Sequence, residues 1–143
     1  MQPLAPACSR LLPLAQHPAR AVRLTADDLR RLPAPSKTPD DCACAACVCP
    51  GWESVSAPLG EPLLRHLGTL RDPDIEDPTL DEWHPQGTHY SSPDAPISAG
   101  HFPFNRCEVW ACSHCGRGFL QYTEYGGYYV DHRLREVDPR RVG

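Results

Sequence analysis

The chain has 143 residues, with 14 Lys and Arg against 18 Asp and Glu and a hydrophobic content of 41%. That length suits one compact domain. The chain has no run of about 18 apolar residues, no heptad series and no net positive charge, which argues against a membrane-spanning helix, a coiled coil and a strongly basic nucleic-acid binder. With 17 Pro and 10 Gly much of the chain must be loop, while 8 Cys exceed what packing requires, so composition already points to a bound metal.

Residues 1–23 read as a loose arm. Pro3, Pro6, Pro13 and Pro18 interrupt its apolar stretch and no basic residue precedes it, unlike a secretory signal. Leu4-Ala5-Pro6-Ala7-Cys8 leaves too few residues ahead of the cysteine for a lipoprotein signal. The expectation is a cytoplasmic protein, and in a reducing compartment clustered cysteines are metal ligands or redox groups more often than disulfides.

From residue 24 to 70 two short helices and a Cys-rich segment are predicted. Thr25 can cap the first helix, Asp27 and Asp28 favour its N-terminus, Leu24, Leu29 and Leu32 supply its apolar contacts, and Pro33 stops it. Leu63, Leu64, Leu67 and Leu70 lie at helical spacing, with Pro62 suited to a first turn, and predict a second helix from Glu61 to Leu70. Residues 71–104 form a Pro-rich loop dense in turn signals such as Asp72-Pro73, Asp77-Pro78 and Ser92-Pro93-Asp94. Acid concentrates here: residues 1–37 carry six basic and two acidic side chains, 38–100 two and eleven, and 101–143 six and five.

Residues 105–143 predict a three-stranded antiparallel meander. Arg106 to Ala111, Phe119 to Tyr125 and Tyr128 to Val137 read as strands, joined by the tight turn Cys112-Ser113-His114-Cys115-Gly116-Arg117-Gly118 and by Gly126-Gly127. Alternation sets Phe119, Gln121, Thr123 and Tyr125 on one face and Leu120, Tyr122 and Glu124 on the other, one side buried and one partly wet. The predicted fold class is therefore α+β, a small three-stranded antiparallel meander with short helices and long irregular loops in a single domain.

Seven cysteines fall in two groups: Cys42, Cys44, Cys47 and Cys49, and Cys107, Cys112 and Cys115. Cys112 and Cys115 stand three apart in a turn between strands, close enough for both thiolates to reach one ion, and Gly116 permits the tight backbone. Cys44 and Cys47 repeat that spacing. One zinc ion per chain held by Cys44, Cys47, Cys112 and Cys115 satisfies a closed four-ligand site. Two other arrangements remain open: Cys42 in place of a member of the first pair, donating with Cys44 or with Cys47, or a second ion on the surplus thiols. Four thiolates also hold iron or an iron–sulfur cluster, and spacing alone does not separate these metals.

The two Cys-x-x-Cys pairs and the hairpin following the second resemble the zinc-ribbon, or rubredoxin-like, zinc-knuckle class. The resemblance covers Asn105 to Val137 and the patch near residue 44; it implies a metal site and not a task. The chain departs from that class in its surplus thiols and in the 64 residues, 48–111, between the pairs.

For function, a closed thiolate site without a catalytic motif suggests a non-enzymatic zinc-binding protein, an interaction or adaptor module whose acidic loop suits a basic protein partner. The alternative is a metal-dependent hydrolase using an open metal position or the Asp81 to His89 loop, where Asp81, Glu82, His84 and His89 cluster in sequence. Cross-strand packing is the expected use of Tyr122, Tyr125, Tyr128 and Tyr129, and the acidic centre argues against nucleic acid.

Overall fold

A computed structural model of the protein describes residues 22–89 and 91–143; the arm up to residue 21, including Cys8, lies outside the described residues. Five strands organise the chain: β1 (Glu53–Val55), β2 (Leu64–Thr69), β3 (Glu108–Cys112), β4 (Gly118–Tyr125) and β5 (Val130–Glu136). They form one antiparallel sheet in the order β1-β5-β4-β3-β2.

The expected meander is present as β3, β4 and β5, but it is only the middle of the sheet. The three-stranded α+β expectation is thus corrected to a mostly β fold with one short α-helix among the described residues. The helix expected over Glu61 to Leu70 is instead strand β2, paired with β3 along Leu64↔Cys112 to Thr69↔Glu108. Leucines at helical spacing serve a strand here because the register shifts between His66 and Gly68. An extra residue reverses which face the following side chains meet, so Leu64 enters one core and Leu70 the other. Backbone pairing along an exposed edge of β3 outweighs the weak helical preference of a Gly-containing, six-residue segment.

Helix α1 (Ala26–Arg30) forms where the sequence predicts it. The Thr25 N–H donates to Asp28 Oδ2 at 2.8 Å and the Thr25 hydroxyl donates to the same oxygen at 3.1 Å, closing the first turn. The Thr25 backbone N–H bond, followed by its hydroxyl, holds the Asp28 carboxyl below its ordinary pKa. Five residues cannot sustain a helix alone, and α1 is held by Leu29, which is fully buried.

Both faces of the sheet are covered, in contrast to the half-wet meander expected. Against one face Leu59, Leu63 and the cysteine segment pack on Trp110, Phe119 and Leu134. Gln121 clamps that cover, accepting from the Leu59 N–H at 2.8 Å and donating to the Leu59 carbonyl at 2.9 Å. Against the other face Leu29, Trp52, Ile97 and Phe104 pack on Val109, Leu120 and Tyr122.

The long loop is tied down chiefly by polar groups. Arg135, 1% exposed, donates from Nη2 to the Ala95 carbonyl at 2.6 Å and stacks 5.5 Å from the Phe104 ring centre. Burial pulls its pKa down to about 10. Asn105 donates to the Thr79 carbonyl at 2.8 Å, and Ile97 donates to the Arg141 carbonyl at 2.8 Å. Tyr122 packs edge-on against Trp52 at 5.0 Å, whereas Tyr125, Tyr128 and Tyr129 stand exposed by 79%, 103% and 55% at the hairpin tip, away from the packing expected of them.

Gly118 shows how closely the layers approach: a Cβ there would lie 2.5 Å from Leu32 Cδ1. The α1 segment therefore sits directly on the start of β4. Leu29→Ala, which removes the anchor of that segment, is expected to destabilise the protein by about 2–5 kcal/mol. Urea unfolding checks this as a lower midpoint at unchanged slope.

Candidate metal centre

Two turns on opposite sides of the first core bring four sulfurs together. The first is the short 3₁₀ turn Ala43–Ala46, entered through Cys42 in an extended conformation at φ −69° and ψ 141°. The second joins β3 to β4, where the Cys112 N–H donates to the Arg117 carbonyl at 2.8 Å and the Gly116 N–H to the Cys112 carbonyl at 3.0 Å. Gly116 adopts φ +82°, which favours glycine and lets the turn close. The His114 N–H points at Cys112 Sγ, 3.4 Å away, as backbone amides do in thiolate turns.

The sulfurs of Cys42, Cys44, Cys112 and Cys115 all lie within 4.8 Å of one another. Cys42 to Cys112 is 3.5 Å, Cys42 to Cys44 3.6 Å and Cys44 to Cys115 3.4 Å. A tetrahedron with sulfurs about 2.3 Å from its centre has edges of about 3.8 Å, so this spacing fits a four-thiolate ion such as zinc. It is much too long for a disulfide, whose sulfurs stand about 2.05 Å apart. Cys44 and Cys112 are buried and Cys42 and Cys115 half-buried.

The electrostatics favour one thiolate. Burial opposes ionisation of Cys112, but the N–H groups of Cys115 and His114 and the thiols of Cys42 and Cys44 outweigh it and bring its pKa down to about 6. Burial, then the sulfurs of Cys115, Cys112 and Cys42, push Cys44 well up. The Cys44 N–H favours a Cys42 thiolate, yet desolvation and the sulfurs of Cys112 and Cys115 leave that pKa raised as well. Without a cation the group cannot hold four negative charges; a cation that displaces the protons relieves this.

Arg117 braces the first turn against the second. Its Nη1 donates to the Cys44 carbonyl and its Nη2 to the Cys47 carbonyl, both at 2.8 Å, and Nη2 also meets Glu136 Oε1 at 2.7 Å. Its guanidinium lies 4.8 Å from the Phe119 ring centre. Burial works against this charge, but the bond and attraction of Glu136 outweigh it and raise its pKa. The result is a buried Arg117–Glu136 ion pair beside the sulfur cluster.

Of the four expected ligands, the structure brings Cys44, Cys112 and Cys115 together with Cys42. Cys47 lies outside that group: it is buried at the end of the 3₁₀ turn, its N–H bonded to the Cys44 carbonyl at 2.9 Å. The extended backbone at Cys42 turns its sulfur toward Cys112, an arrangement the Cys42-x-Cys44 spacing already allowed. Cys49 is buried in the first core. Cys107 is buried in the second, where its thiol donates to the Pro103 carbonyl at 3.3 Å and burial raises its pKa. The role of Arg117 had no signal in the sequence beyond its place after Cys115 and Gly116.

In the acidic loop, Glu82 Oε1 meets His84 Nε2 at 2.6 Å, and the His84 and His89 rings stack 6.3 Å apart. His101 pairs with Ser98 at 2.6 Å and stacks on Trp83. Among the described residues these groups form no further cluster with metal-ligand spacing. Among the described residues no helix is long and apolar enough to cross a membrane. No family model, curated protein or solved structure matches the chain.

Arg117→Met keeps the volume near Phe119 but strands two carbonyls and the Glu136 carboxylate. It is expected to destabilise the protein by about 3–5 kcal/mol, because it breaks a buried charged network from one side. Chemical denaturation of the metal-loaded variant against the wild type checks this.

Proposed function

We propose that the protein is a non-enzymatic zinc-binding module in which Cys42, Cys44, Cys112 and Cys115 hold one structural ion, and whose folded surface engages a basic protein partner. The observation that carries the reading is the near-tetrahedral spacing of four sulfurs drawn from two turns about 70 residues apart. Zinc bound by four thiolates is a redox-inert cross-link with no position left for water. The protein's own groups supply the rest. Arg117 offsets part of the thiolate charge, the His114 N–H supports the Cys112 sulfur, and Gly116 keeps the second turn tight.

A cytoplasmic location belongs to the same reading, since a reducing compartment keeps the thiols available. The partner class is supported by the exposed acidic stretch Asp74, Glu76, Asp77, Asp81 and Glu82, among which Ile75, Leu80 and Trp83 are exposed by 47%, 70% and 42%. Carboxylates steer a basic partner and the apolar side chains give it area to bury.

Elemental analysis of the purified protein is expected to give about one zinc per chain. Stripping it with a chelator is expected to lower the thermal midpoint by roughly 10 °C, the shift for a few kcal/mol of lost binding energy in a chain of this size. Cys42→Ser is expected to lose the metal and Cys47→Ser to retain it. Iron, no metal, or loss on Cys47→Ser with retention on Cys42→Ser contradicts the assignment.

A further inference from the structure

At the end of the sheet away from the cysteines, the flank of β4 lines a cleft of about 420 Å³. Its origin lies in the strand register. Strand β3 begins at Glu108, opposite Gln121, while β4 continues to Tyr125 paired only with β5. The 3₁₀ turn Phe104–Arg106 leads the chain away from the sheet at that point, leaving one flank of β4 without a neighbouring strand.

We propose that this cleft binds a small planar aromatic acid. Its volume falls within the range of about 300–1,000 Å³ usual for small-molecule sites, and its lining has the usual mixture of flat apolar walls and few polar groups. Tyr125 supplies an exposed flat wall and the buried Trp110 closes the floor, while Arg106 and Arg133 supply positive charge and His132 a ring nitrogen against one carboxylate, Glu108. Glu108 is already engaged, with Oε1 2.9 Å from His66 Nε2. Arg133 is paired with Asp131 at 2.9 Å, so the excess positive charge rests on Arg106.

These groups are held in position before any ligand arrives. Arg106 stacks 4.8 Å from the Phe102 ring centre and donates from Nη2 to the Pro78 carbonyl at 3.3 Å. His132 Nδ1 pairs with the Thr123 hydroxyl at 3.0 Å, which leaves Nε2 as its outer nitrogen. Fixed side chains lose little entropy on binding, and a planar anion stacked on the exposed Tyr125 ring would reach Arg106 and His132 with its acidic group. This inference does not depend on the metal assignment.

The test is titration of the full-length, metal-loaded protein with naphthoate, followed by NMR, with naphthylmethylamine as the cationic counterpart of the same shape. Naphthoate is expected to bind one-to-one, with saturating shifts at the Trp110 indole and the Tyr125 amide, at least fivefold more tightly than the amine. Tyr125→Ala, an exposed position whose loss leaves the fold intact, and His132→Gln are each expected to weaken binding at least fivefold. Tyr128→Ala, outside the cleft, is expected to leave it unchanged. Non-saturating shifts, equal binding of the amine, or indifference to both cleft substitutions overturns the proposal.

Discussion

Four sulfurs gathered within 4.8 Å of one another impose a constraint that ordinary packing does not. Full ionisation of such a group is opposed by burial and mutual repulsion, and only a cation at its centre lets all four thiolates coexist. Because the sulfurs come from residues 42–44 and 112–115, an ion held by them would pin the first turn to the sheet. Cys47, Cys49, Leu59 and Leu63 belong to the layer over Trp110, Phe119 and Leu134, so that cover would be pinned with it. Arg117 makes the constraint compatible with folding by pairing the Cys44 and Cys47 carbonyls and carrying a positive charge into the layer.

Much of the C-terminal half was legible because its signals are local. Alternating residues, a glycine-bearing turn at Gly116 and the Gly126-Gly127 turn place β3, β4 and β5 close to where the structure has them. The edge strands were not legible for the opposite reason. Strand β1 has three residues and gains its pairing only from β5. The leucines of β2 mimic helical spacing because a bulge between His66 and Gly68 splits them between two cores. Pairing partners distant in sequence leave no periodic trace in either segment.

The site was legible to the level of its chemistry. Close-spaced cysteines in two groups announced a sulfur cluster that could hold a metal, and three of the four clustered residues were among those expected. The choice between Cys42 and Cys47 turns on the backbone of one residue: Cys42 is extended where the chain enters the 3₁₀ turn, while Cys47 closes that turn with its N–H on the Cys44 carbonyl. Spacing counts residues and does not report such dihedral angles. The sheet therefore has two differently built ends, a cluster of four cysteines and an open cleft, with the acidic loop tied across the second core by Asn105 and Arg135.

X-ray absorption at the metal edge of the zinc-loaded protein tests the central claim most directly, because it reads the identity and number of the atoms bound to the ion. The account predicts four sulfurs at about 2.3 Å and no nitrogen or oxygen neighbour. A shell of three or fewer sulfurs completed by nitrogen or oxygen would contradict it.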